Sequence, residues 1–142
     1  MSATIQCDIV SAHKEIFSGE VSMFIATGTA GDLGITPRHA PLMTTLQPGP
    51  LRLISPGGEE TVFFVDSGIL EVMPHLITVL ADTAERAEHL DRAAALKAKE
   101  DAERELLTST SELKMNEAEA QLAIAMAQLE TLERHSKKVK KI

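Results

Sequence analysis

The chain has 142 residues, a formal charge of −7, 44% hydrophobic and 25% charged residues, and neither Trp nor Tyr. That length holds one domain and an appendage rather than two full domains, and near-average apolar and charged fractions exclude wholesale disorder. The acidic balance argues against nucleic acid as a partner, because a general binder must neutralise phosphates, and without Trp or Tyr there is little to stack on bases.

In chain order, the first half reads as short strands at 5–10, 21–27, 51–54, 61–65, 69–72 and 76–80, each with apolar or alternating residues. Turn signals separate them: Ser18-Gly19, Gly28-Thr29-Ala30-Gly31, Pro48-Gly49-Pro50 and Ser55-Pro56-Gly57-Gly58, the last a hairpin loop between two strands. All eight glycines lie at or before Gly68 and all six prolines at or before Pro74, so the architecture changes after that point. The expected fold is an antiparallel β-sandwich head, residues 1–84, followed by a mobile two-helix hairpin, residues 85–142.

The tail is rich in alanine. The pattern predicts a first helix over 91–107 with Asp91 as N-cap, and a break at Thr108-Ser109-Thr110-Ser111, whose hydroxyls favour caps and turns. Ser109 and Glu112 have the spacing of a capping box that opens a second helix running to about His135. Ala95, Ala98, Ala102 and Leu106 on the first helix face Met115, Ala118, Leu122, Ala125, Leu129 and Leu132 on the second. Each alanine buries only about one methyl, on the order of 0.8 kcal/mol, while favouring helix by itself. Such helices are sturdy and weakly docked.

Little in the sequence points to catalysis. There is no phosphate-binding GxxxxGK[ST] loop, no GxGxxG, no HExxH and no paired CxxC. Gly28, Gly31 and Gly34 lead into no helix and read as a turn-rich loop; the five histidines lack metal-ligand spacing. Asp66-Ser67-Gly68 reads as a turn between strands rather than, with His39, a hydrolytic triad. Cys7 alternates with isoleucines, the pattern of a buried hydrophobe. With no leader-like N-terminus and no apolar run near the roughly 20 residues that span a bilayer, the chain is expected to be soluble. The basic tail carrying Arg134, Lys137, Lys138, Lys140 and Lys141 either complements a helix C-terminus or reaches an acidic patch on a partner.

The segment Gly31-Asp32-Leu33-Gly34-Ile35-Thr36-Pro37-Arg38-His39-Ala40-Pro41-Leu42 resembles the signature of the epsilon subunits of bacterial rotary ATP synthases. Asp8-Ile9-Val10-Ser11, Phe17-Ser18-Gly19, Pro48-Gly49-Pro50-Leu51-Arg52, Ser67-Gly68-Ile69-Leu70-Glu71-Val72 and Val79-Leu80-Ala81-Asp82-Thr83-Ala84 agree in the same order. The resemblance implies a non-catalytic, cofactor-free stalk subunit at the cytoplasmic face of the bacterial inner membrane, peripheral and without bilayer insertion. It implies that the sandwich binds the gamma subunit and the c ring, with Asp32, Leu33, His39, Ala40 and Pro41 as the contact residues. The tail would rise to the alpha and beta subunits, with Arg134, Lys137, Lys138, Lys140 and Lys141 as its contacts, and inhibit ATP hydrolysis.

Two departures stand out. Arg38 occupies a position where the family usually has glycine, which reaches positive φ without penalty. Some members bind ATP through Ile/Leu-Asp-x-x-Arg-Ala; here Leu90 and Asp91 are kept, but Ala94 stands at the arginine position and Arg92 is displaced by about 200° around a helix. Weak or absent nucleotide binding is therefore expected. The alternative is an ATP-sensing module whose tail posture follows the nucleotide.

Overall fold

The structure, a computed structural model, describes residues 3–28 and 31–140. Ten strands come first: β1 (Ile5–Ser11), β2 (Glu15–Val21), β3 (Met23–Gly28), β4 (Gly31–Ile35), β5 (Leu42–Leu46), β6 (Gly49–Ile54), β7 (Glu60–Val65), β8 (Gly68–Met73), β9 (Leu76–Ala81) and β10 (Ala84–Arg86). A 3₁₀ turn at Ala87–His89 leads into α1 (Arg92–Thr108) and α2 (Glu112–Lys140).

The strands form one ladder bent into two layers, β2-β1-β9-β8-β5 and β10-β7-β6-β3-β4, which join where Gly28 pairs with Leu46. Neighbours are antiparallel except β1 and β9, which run parallel. Alternation along each strand sends Ile5, Cys7 and Ile9, Phe24, Leu51 and Leu53, Phe63 and Val65, Leu70 and Val72, and Ile77 and Val79 into one shared core between the layers. The sandwich and the helical pair are therefore both present, as the sequence predicts.

Three strands lie where the sequence reading places turns or loop. Ser18-Gly19 sits inside β2, where its pairing with β1 holds it extended, and the real turn falls at 12–14. The glycine-rich signature segment forms β4 on the edge of β3, and Leu42–Leu46 forms β5 beside β8. Backbone pairing supplied by neighbours outweighs the turn propensity of Gly and Ser there. One glycine is demanded by close approach: a Cβ on Gly68 would lie 2.4 Å from the carbonyl oxygen of Leu80.

In the tail, Asp91 caps α1 as expected, its carboxylate accepting from the Ala94 N–H at 3.2 Å. The second cap is Ser111, not Ser109: the Lys114 N–H donates to the Ser111 hydroxyl. Ser109 cannot complete a capping box, because its own N–H closes α1 on the Glu105 carbonyl. α2 also runs five residues beyond the expected His135. Ala95, Ala102, Ala118 and Ala125 are buried along the seam, but Ala98 and Met115 are exposed. Lys99, beside Ala98, is half-buried instead, and its aliphatic stem can cover that side of the seam.

Candidate functional site

Three of the five expected contact residues, His39, Ala40 and Pro41, lie at or just after one turn. Pro37 and Arg38 occupy the two central positions of a β-turn closed by the His39 N–H donating to the Thr36 carbonyl at 3.2 Å. Proline at the first position presets φ, and Arg38 at the second has φ 66°, the left-handed region that a type II turn requires. The Arg38 N–H donates to the Pro74 carbonyl at 3.0 Å, tying this turn to the β8–β9 turn. The Nδ1–H of His39 donates to the Ala40 carbonyl at 2.8 Å, so His39 stiffens its own loop while Ala40 and Pro41 stay exposed. Asp32 is exposed but sits opposite Thr27 beside the β3–β4 turn, at the other end of β4 from His39. Four residue steps separate it from Thr36, about 13 Å. Leu33 points inward and packs on the core, so it belongs to the sandwich interior.

Between those two ends lies a surface that the sequence reading missed. On the outer face of the β2-β1-β9-β8-β5 layer, Met43, Ile69, Met73 and Leu80 are exposed, Met43 at 66% and Leu80 at 55%. Register joins them into a strip: Met43 pairs across from Glu71, and Ile69 across from Leu80. The signal was present in Ile69-Leu70 and Val79-Leu80, where apolar residues occupy both faces of a strand whose inner face alone fills the core. An open apolar strip of this kind marks a contact surface.

The opposite layer also has an apolar outer face, and there α2 covers it. Val62 and Phe64 alternate with core-facing Phe63 and Val65, yet each is only 2% exposed. α2 packs on β6 and β7 above them. Its sandwich side carries Ala127 and the fully buried Thr131, about 200° around the helix from the Ala118 and Ala125 seam with α1. The Thr131 hydroxyl donates to the Ala127 carbonyl of its own helix at 2.7 Å. Among the described residues, no side-chain hydrogen bond or ion pair ties either helix to the sandwich. On that outer face Arg52 and Glu60 are joined to each other rather than to α2.

Two family descriptions match this chain: the β-sandwich domain of the ATP synthase Delta/Epsilon chain over residues 4–87, and its long α-helix domain over residues 88–133. The chain belongs to the ATP synthase delta/epsilon chain family. It is 51% identical over 140 residues to the ATP synthase epsilon chain of Legionella pneumophila (strain Corby), covering 99% of this chain and 100% of that one. The epsilon chain of Stenotrophomonas maltophilia (strain K279a) is 51% identical over 97% of this chain and 99% of its own length. A similar fold occurs in the cryo-EM structure of Euglena gracilis mitochondrial ATP synthase, OSCP/F1/c-ring, at TM-score 0.85 and 21% identity over 92% of this chain and 82% of that one. Another occurs in the Tetrahymena thermophila mitochondrial ATP synthase central stalk and c-ring structure, at TM-score 0.63 and 13% identity over 92% and 98%.

The remaining candidate residues of this delta/epsilon chain serve structure first. Asp91, in the degraded nucleotide motif, spends its carboxylate on the α1 cap, and Leu90 is half-buried with its N–H on the Ala87 carbonyl. Ser67 donates to the Asp82 carboxylate at 2.7 Å and Asp66 accepts from the Thr83 N–H at 2.9 Å. These bonds lock the β7–β8 turn to the β9–β10 turn and leave no triad with His39. Beside them, Lys14, Glu15, Asp82, Glu85, Arg86 and His89 line a cleft of about 480 Å³ in which charges of both signs are mixed. In the basic tail, Arg134 is half-buried and Lys137 is exposed, 3.7 Å from Glu133. Lys141 and the side chains of Lys138 and Lys140 lie outside the described residues. No described helix is long and apolar enough to cross a membrane.

Proposed function

We propose that this chain is a non-catalytic stalk subunit that couples c-ring rotation to gamma and restrains ATP hydrolysis by raising its helices toward the alpha and beta subunits. The observation that carries this reading is the unequal attachment of its parts. The sandwich has a complete core of its own, whereas among the described residues no side-chain hydrogen bond or ion pair ties the hairpin to it. A helix pair held without hydrogen bonds or ion pairs can leave without stranding polar partners, so lifting costs no unsatisfied groups. Meanwhile the strip of Met43, Ile69, Met73 and Leu80, together with the turn at 36–41, offers gamma an apolar landing. Exposed Asp32, at the far end of β4, offers a polar contact to the ring. In this reading the chain sits peripherally at the cytoplasmic face of the bacterial inner membrane.

Epsilon chains that are about half identical across nearly the whole length, and similar folds within F1/c-ring and central stalk assemblies, support this placement. Nucleotide sensing gains no such support, because Asp91 is engaged in capping and Ala94 carries no guanidinium. The test is the assembled enzyme with this chain ended at Ala87, beside one with Lys137, Lys138, Lys140 and Lys141 replaced by Gln. ATP synthesis is retained in both, and ATP hydrolysis rises in both, the lysine variant showing its rise chiefly at low ionic strength. Hydrolysis no faster than with the full chain in the truncated case would overturn the inhibitory role.

A further inference from the structure

We propose that Arg38 is a specificity residue of this docking end, presented on strained backbone so that its guanidinium meets a carboxylate of the stalk partner. The proposal rests on the docking reading above and deepens it.

Arg38 holds φ 66°, and among the described residues it is the one non-glycine at positive φ. The left-handed region is unfavourable for an L-residue with a Cβ, a penalty that glycine would avoid. Nothing in the head repays that cost through the side chain. Arg38 is exposed, and among the described residues its guanidinium has no ion pair, whereas Arg52 is joined to Glu60, Arg104 to Asp101, and Arg86 lies over Phe63. What the fold needs from this position is the backbone alone: the N–H on the Pro74 carbonyl and the left-handed turn, both of which glycine would supply.

The surroundings limit what the side chain can meet. Pro37, Ala40, Pro41 and Met43 flank it in the chain, and the bond to Pro74 sets it against the β8–β9 turn next to exposed Met73. A partner that covers this apolar end also covers the guanidinium. Burying an unpaired cation is costly, so the partner must supply acceptors, and a carboxylate matches the planar fork in both charge and geometry. Strain in a residue of no internal use is accounted for by a contact outside the chain.

The experiment uses the full-length chain and, as probe, an F1-type complex of catalytic subunits and gamma freed of this subunit. Arg38→Gly removes strain and charge together, Arg38→Gln removes the charge alone, and Arg38→Lys keeps the charge without the fork. The expected result is opposed movement: Arg38→Gly melts a few degrees higher than the parent, yet both it and Arg38→Gln bind about tenfold more weakly at low salt. That deficit shrinks as salt rises, and Arg38→Lys falls between. Binding of Arg38→Gln within twofold of the parent, or a deficit indifferent to salt, overturns the proposal. Met43→Asp and Met73→Asp separate the two readings. If they lose binding while Arg38→Gln does not, only the role of Arg38 falls; if they bind normally, the docking surface falls with it.

Discussion

Cys7 is fully buried on β1, and desolvation, reinforced by the neighbouring Asp8 carboxylate, pushes its thiol up from 9.0 to about 12. The fold thus favours the neutral thiol, so the stability it contributes is whole below pH 9 and is lost as pH rises toward about 12. Native protein at pH 8 is expected to resist a disulfide exchange reagent and to react only on unfolding, and Cys7→Ala is expected to flatten the alkaline fall in stability. Fast labelling of the native state would contradict this. That Cys7 is core was legible from its alternation with Ile5 and Ile9. The left-handed turn at Arg38 was legible only as a family departure, because a φ angle is decided by the hydrogen bonds to Thr36 and Pro74, not by arginine.

At the scale of elements, α2 is buried on two sides, and the sequence reading found one. Ala118, Ala125 and the half-buried Leu122, Leu129 and Leu132 show the seam with α1 through their three- and four-residue steps. The second side rests on Ala127 and Thr131, too small and too polar to register as an apolar stripe. Ala127→Asp is expected to separate α2 from β6 and β7, since it forces a carboxylate into a buried position on that face. The cost is about 3 kcal/mol, roughly a hundredfold in the docked-to-free ratio. Hydrogen exchange would report it as faster exchange in the second half of α2 with the strands of the core unchanged. Equal loss of protection in head and tail would mean that the two parts form one cooperative unit.

For the whole molecule, the sandwich has two apolar outer faces, one open and one roofed by α2. Removing residues 90–142 spares every core residue between the layers but bares Val62 and Phe64, whose burial contributes about 1.5–3 kcal/mol each. The truncated head is expected to unfold cooperatively and yet to self-associate as concentration rises, and Val62→Thr with Phe64→Thr is expected to restore a monomer in sedimentation. A truncated head that stays monomeric with both residues native would show that α2 is not the cover this face requires.

The sequence by itself determined the order of parts, the strand-rich head, the two alanine helices, the Asp91 cap and the family signature. Each of these rests on local chemistry: glycine and proline exclude helix, alanine favours it, and a carboxylate caps the N–H groups three residues on. Tertiary structure alone decided the rest. It made strands of β2, β4 and β5 by lending them partners, and it placed Asp32 and His39 at opposite ends of one strand. It also divided the runs 62–65, 69–73 and 76–80 between the core and the outer faces of the two layers. An alternating strand announces which face is wet, but a strand apolar on both faces does not, because what covers the second face lies far away in the chain or outside it.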